Sequence, residues 1–116
     1  MLYQGSCHCG NIKFEFEQEE IKGAITCNCS ICTKKNGIMT NFSIPPEKFK
    51  IMDNNNSLST YDFGKKVAKH HFCNNCGIYT FHQTLRKPGE YRVNINCIEG
   101  VKVEDLEITK FDGASL

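Results

Sequence analysis

Seven of the eight cysteines in this 116-residue chain fall into three tight clusters. They are Cys7-His8-Cys9, Cys27-Asn28-Cys29-Ser30-Ile31-Cys32 and Cys73-Asn74-Asn75-Cys76-Gly77. Such spacing suits chelation, because the backbone turns between two sulfurs and aims both at one ion about 2.3 Å away. A disulfide framework scatters its cysteines and needs an oxidising compartment. The expectation is zinc, bound by Cys7, Cys9, Cys27, Cys29, Cys32, Cys73 and Cys76.

Seven ligands divide into four and three. A structural zinc site is closed by four protein ligands, whereas a catalytic one keeps three and leaves a position for water or substrate. The count therefore points toward an enzyme with two ions per chain, unless His8, His70, His71 or His82 closes the second site or that site is empty. Cys27, Cys29 and Cys32 lie within six residues, so one turn presents all three to one ion, and the Cys7/Cys9 and Cys73/Cys76 knuckles then form the closed site. Spacing does not exclude the alternative of Cys7/Cys9 with Cys27/Cys29, which leaves Cys32 with Cys73/Cys76.

The elements that must position these sulfurs read as short strands. Asn11–Glu17 alternates apolar and polar residues with period two. Gly23–Cys27 is a short apolar strand that delivers the three-cysteine cluster. Ser30 is placed to cap a helical turn through Lys35, with Gly37 as its stop and Lys34 and Lys35 beside the cluster. Ile38–Ile44 and Phe49–Met52 are further strands, and Asp53–Asn56 is a turn. Leu58–Phe63 and Val67–Phe72 make a hairpin around Gly64, and the second of these feeds the Cys73/Cys76 knuckle. Gly77 allows the positive φ that such a knuckle needs. Ile78–His82 pairs with Tyr91–Ile95, Val103–Leu106 is a helical turn, and Ile108–Phe111 closes the chain. The expected fold is mainly β, small antiparallel sheets with meander connections and little helix.

Other residues have plainer readings. Cys97 lies in the apolar stretch Val93–Ile98 and reads as a buried small hydrophobe. His8 points outward, and of the adjacent His70 and His71 one faces solvent. Lys65, Lys66 and Lys69 form a solvated basic edge, and Glu15, Glu17, Glu19 and Glu20 a solvated acidic face.

The formal charge of +1 suggests no nucleic-acid partner. Metallating seven thiols with two zinc ions takes it to about −2, which weakens that reading further. Met1–Gly5 offers no secretory n-region or h-region. No apolar run approaches the ~18 residues that span a bilayer. The expected compartment is the reducing cytoplasm.

Gly5-Ser6-Cys7-His8-Cys9-Gly10, the Cys27–Cys32 cluster and Phe72-Cys73-Asn74-Asn75-Cys76-Gly77 resemble the three signatures of the glutathione-dependent formaldehyde-activating enzyme family. This family contains S-(hydroxymethyl)glutathione synthase and centromere protein V. Val93–Cys97, Glu99-Gly100-Val101 and Phe111-Asp112-Gly113 resemble its C-terminal stretch. The likeness runs from about Gly5 to Gly113 and makes residues 1–116 one zinc-binding formaldehyde-activating-enzyme-like domain. It implies a β-tent-like fold around zinc, with Cys7, Cys9, Cys73 and Cys76 on the structural ion. It places Cys27, Cys29 and Cys32 on a catalytic ion, and it implies a lyase that joins glutathione to formaldehyde. The alternative is a non-catalytic zinc-stabilised module that contacts protein or nucleic acid.

Overall fold

Along residues 12–17 the apolar set Ile12, Phe14 and Phe16 is buried while Lys13 and Glu17 are exposed, as period-two patterning dictates. The computed structural model describes residues 1–62, 68–84 and 87–115. Its strands are β1 (Leu2–Ser6), β2 (Lys13–Glu17) and β3 (Gly23–Cys27), then, after helix α1 (Ser30–Lys35), β4 (Met39–Thr40), β5 (Lys50–Met52), β6 (Leu58–Tyr61), β7 (Lys69–Cys73), β8 (Tyr79–Gln83), β9 (Tyr91–Val93) and β10 (Glu107–Phe111). The fold is mainly β, with one short α-helix among the described residues. Among the described residues no helix is long and apolar enough to cross a membrane.

Three small sheets pack on one aromatic core, in the orders β1-β2-β5, β10-β3-β4 and β6-β7-β8-β9. Phe14 and Phe81 meet edge to face at 5.8 Å, Phe49 and Phe81 at 5.0 Å, and Phe49 stacks on Tyr91 at 4.7 Å. Gly5 lets β1 reach this core: a Cβ there would collide with the Cys97 carbonyl and the Phe14 ring. That contact fixes where the chain leaves β1 for Cys7.

Several expectations change. Leu2–Ser6, unassigned from sequence, pairs with β2 in the register Tyr3↔Phe16. The strand expected over Ile38–Ile44 shortens to β4, and Ile44 keeps only a single bridge to Tyr91. The strand expected over Tyr91–Ile95 stops at Val93. There Asn94 accepts from the Asn96 amide and turns the chain into a 3-10 helix, Ile95–Cys97. Cys97 is buried, but in that turn. The Val103–Leu106 turn is a 3-10 helix over Val103–Asp105.

The cap of helix α1 lies one residue before the expected one, so the helix itself begins at Ser30. Cys29, extended at φ −66° and ψ 164°, is the N-cap, so the Ser30 side chain caps nothing. Asn36, left-handed at φ 53°, ends the helix in place of Gly37, a role asparagine tolerates. Pairing is antiparallel except that β10 runs parallel to β3, from Glu107↔Gly23 to Phe111↔Cys27. Strands β6 and β7 pair as expected, Leu58↔Cys73 to Tyr61↔His70. The turn around Gly64, with Lys65 and Lys66, lies outside the described residues.

Candidate metal centres

Strands β1 and β7 end side by side, and each runs into a knuckle whose glycine has positive φ, Gly10 at 84° and Gly77 at 78°. The Cys7, Cys9, Cys73 and Cys76 sulfurs thus converge within 4.8 Å of one another. Cys7 Sγ is 3.7 Å from Cys9 Sγ, which is 3.7 Å from Cys73 Sγ, 64 residues along the chain. Four sulfurs arranged tetrahedrally about 2.3 Å from a zinc ion have edges of about 3.8 Å, so the arrangement fits that ion.

Backbone amides favour thiolates here. The Ile12 amide donates to Cys7 Sγ at 3.3 Å and the Asn75 amide to Cys73 Sγ at 3.4 Å. Burial raises the Cys76 thiol, but hydrogen bonds from the Cys9 and Ile78 amides and then from Cys73 and Cys7 outweigh it and bring the pKa down to about 6. Burial pushes the fully enclosed Cys73 up to about 11. The cluster is thus poised to exchange its protons for a cation.

Cys27, Cys29 and Cys32 form the second group, also within 4.8 Å of one another. Cys27 ends β3, Cys29 is the helix cap, and Cys32 follows one turn into α1. Among the described residues no histidine or carboxylate joins them, so one direction stays without a protein donor. Burial raises Cys29, but hydrogen bonds from Cys32 and Cys27 and the charge of Lys35 lower it overall. Cys32, penalised first by burial and then by Cys29, rises to about 12. One side of this group opens into a cleft of about 350 Å³ lined by Thr26, Cys27, Cys32, Asn36, Lys110 and Asp112.

The C-terminal segment straps this cysteine loop in place. The Asn28 amide donates to the Phe111 carbonyl at 3.3 Å, and its side chain donates to Asp112 Oδ1 at 2.9 Å and accepts from the Ala114 amide at 2.9 Å. A Cβ on Gly113 would stand 2.5 Å from Cys27 Sγ and 3.3 Å from Cys29 Cβ. Gly113→Ala must therefore displace a sulfur. It is expected to lower bound zinc by up to one ion per chain while the far-UV spectrum stays unchanged, as read by elemental analysis and circular dichroism.

On the other side of the group, Lys35 Nζ reaches from α1 to β8. It donates to Tyr79 Oη at 2.6 Å and lies 3.1 Å from His82 Nδ1. Tyr79 Oη is also 2.7 Å from Nδ1 of both His70 and His82. Burial, then the nearby Lys35 charge, holds His82 down to about 2 and His70 to about 4, so both rings are neutral at neutral pH.

The model of the glutathione-dependent formaldehyde-activating enzyme family matches residues 2–109. This chain belongs to that family. It is also similar to a crystal structure of a Rhodobacter sphaeroides protein, with 35% identity and a TM-score of 0.80 over 91% of this chain and 99% of that one. The family match covers all seven clustered cysteines and stops short of Asp112 and Gly113.

Within this family member, the structure brings together the groupings Cys7/Cys9/Cys73/Cys76 and Cys27/Cys29/Cys32 and separates the alternative pairing. His8 is exposed. The expectation that His70 or His71 faces solvent is overturned, since both are buried. Strand β7 is internal to its sheet: His71 packs on Phe81 and bonds Thr60 and Gln83, while His70 faces Tyr79 and His82. Lys35 is half-buried and partnered, unlike the exposed Lys34.

Tyr79 escapes a sequence reading for a physical reason. Strict alternation puts it on the same face as Phe81, in the core. The β7–β8 register shifts between His71 and Phe72, so Phe72 pairs with Tyr79 and Thr80 is passed over. The bulge carries Tyr79 to the His70 and His82 side. The signal that was present is composition: one tyrosine and two histidines on neighbouring strands near a cysteine cluster.

Proposed function

We propose that this protein is a zinc-dependent carbon–sulfur lyase or synthase of the S-(hydroxymethyl)glutathione synthase type. It joins a small thiol such as glutathione to an aldehyde such as formaldehyde. In this reading Cys7, Cys9, Cys73 and Cys76 hold a structural ion, and Cys27, Cys29 and Cys32 hold a catalytic one. The observation that carries it is the difference between the two groups, four converging sulfurs in one and three in the other.

Zinc bound by three thiolates supplies a coordination position with an affinity for a fourth sulfur and acidifies a thiol held there. The rest is the work of the chain. The three cysteines fix the direction from which the thiol enters. The cleft beside Cys27 and Cys32 has room for the remainder of a small peptide-like thiol, with Lys110 at its edge as a partner for a carboxylate. The addition forms one carbon–sulfur bond, opens the carbonyl π bond and transfers the thiol proton to the former carbonyl oxygen. No electrons are exchanged with an outside reagent, and the reverse is a lyase reaction. A cytoplasmic location suits it, since both the ligand thiols and the substrate thiol need a reducing environment.

The test is exchange spectroscopy on ¹³C-formaldehyde with glutathione. The wild-type protein is expected to speed interconversion of free and thiol-bound formaldehyde well above buffer, and Cys32→Ser is expected not to. Equal rates in all three samples would overturn the enzymatic reading and leave a non-catalytic zinc-stabilised module.

A further inference from the structure

Lys35 sets a further property of the three-cysteine group. Its ammonium is drawn out of water between α1 and β8, and burial lowers its pKa while Cys32, Cys29 and Cys27 raise it. Among the described residues the only ion pair within 4.0 Å is Lys50 with Glu15, so no carboxylate balances Lys35. The charges that act on it are those of Cys32, Cys29 and Cys27, and its side chain also hydrogen-bonds Cys32. A half-buried cation is not placed there by chance packing, because Tyr79 Oη at 2.6 Å and His82 Nδ1 at 3.1 Å hold it at two points. Those two groups are neutral acceptors. They fix the ammonium without cancelling its charge.

From this geometry we infer that Lys35, clamped by Tyr79 and His82, is a specificity-determining residue that makes the open position favour anionic sulfur donors over neutral nitrogen donors. The inference rests on the proposed reading of Cys27, Cys29 and Cys32 as ligands of an ion. Three thiolates and a divalent ion carry −1, and Lys35 brings the local sum to zero. A thiol enters as thiolate, loses its proton to solvent and adds one negative charge beside the ammonium. Imidazole enters as a neutral donor and adds none. The charge of Lys35 therefore acts on the first ligand and not on the second. With its three donors taken by Tyr79, His82 and Cys32, Lys35 acts through its field and positions no substrate atom. At short range in a partly wet site, one unit charge is worth roughly tenfold or more in affinity.

The experiment is optical titration of the cobalt-substituted full chain with 2-mercaptoethanol, which carries no charge of its own, and separately with imidazole. Sulfur-to-cobalt charge-transfer absorption reads the first and the ligand-field bands read the second. Lys35→Met is expected to weaken 2-mercaptoethanol binding roughly tenfold or more and to leave imidazole binding within about twofold. Lys35→Arg, which keeps the charge, is expected to retain most of the thiol affinity. Equal weakening of both ligands in Lys35→Met, unchanged thiol affinity in Lys35→Met, or an arginine variant as poor as the methionine one would overturn the inference. Each of these would leave the proposed function standing, whereas failure of the wild-type protein to bind the thiol at all would overturn the proposed function itself.

Discussion

Replacement of Cys73 by serine is expected to leave no stably folded protein. Cys73 is fully buried at the meeting of β1 and β7, and its group links residues near the N-terminus to the middle of the chain. A structural zinc ion contributes on the order of 10 kcal/mol to folding. That is comparable to the whole stability of a domain of this size, which is about 5–15 kcal/mol. Serine offers a weaker oxygen donor in the same place and leaves three thiols crowded without their ion. Cys9→Ser should behave alike, although Cys9 is exposed, because the loss acts through the ion and not through packing. Expression in the soluble fraction, circular dichroism and a urea titration read the effect. A Cys73→Ser protein as soluble and as stable as wild type would refute the structural assignment.

Cys29→Ser should do the opposite: remove one ion and all turnover while sparing the fold. Its three sulfurs come from six consecutive residues, and the surrounding elements are anchored without them. The parallel β3–β10 ladder holds Cys27, the Asn28–Asp112 pair holds the loop, and the Lys35–Tyr79 bond holds the end of α1. The Thr33 amide bonds the Cys29 carbonyl, which serine supplies equally well. A cost of about 1 kcal/mol would move the melting midpoint by only about 4–8 °C in a small domain. Elemental analysis should find the zinc content lowered by up to one ion per chain. If Cys29→Ser collapses as completely as Cys73→Ser, the division of the cysteines into four and three is wrong.

Much of this was legible in the sequence, for reasons that differ between parts. The cysteine groups were legible because chelation is local: a knuckle brings its sulfurs together through two or three residues of backbone. Strands β2 and β7 were legible from alternation and from the knuckle that follows β7. The hidden parts depend on long-range pairing. Nothing in Glu107–Phe111 says that it lies parallel to Gly23–Cys27, yet that pairing brings Asp112 and Gly113 onto the metal loop. Leu2–Ser6 lacks a strong apolar alternation and becomes a strand because β2 offers it an edge and Gly5 fits the core. The Lys35–Tyr79–His82–His70 network depends on a one-residue register shift that moves Tyr79 to another face, an event no local pattern records.

The central claim is that one metal site is closed and the other accepts a thiol. X-ray absorption at the zinc edge of the fully loaded protein tests it most directly, recorded before and after saturating glutathione. The account predicts a mixed shell at first, mostly sulfur at about 2.3 Å with a minority of lighter donors. It predicts that glutathione replaces the lighter donors with sulfur while the zinc content stays the same. A shell already all sulfur before glutathione is added, or one unchanged by it, would contradict the account.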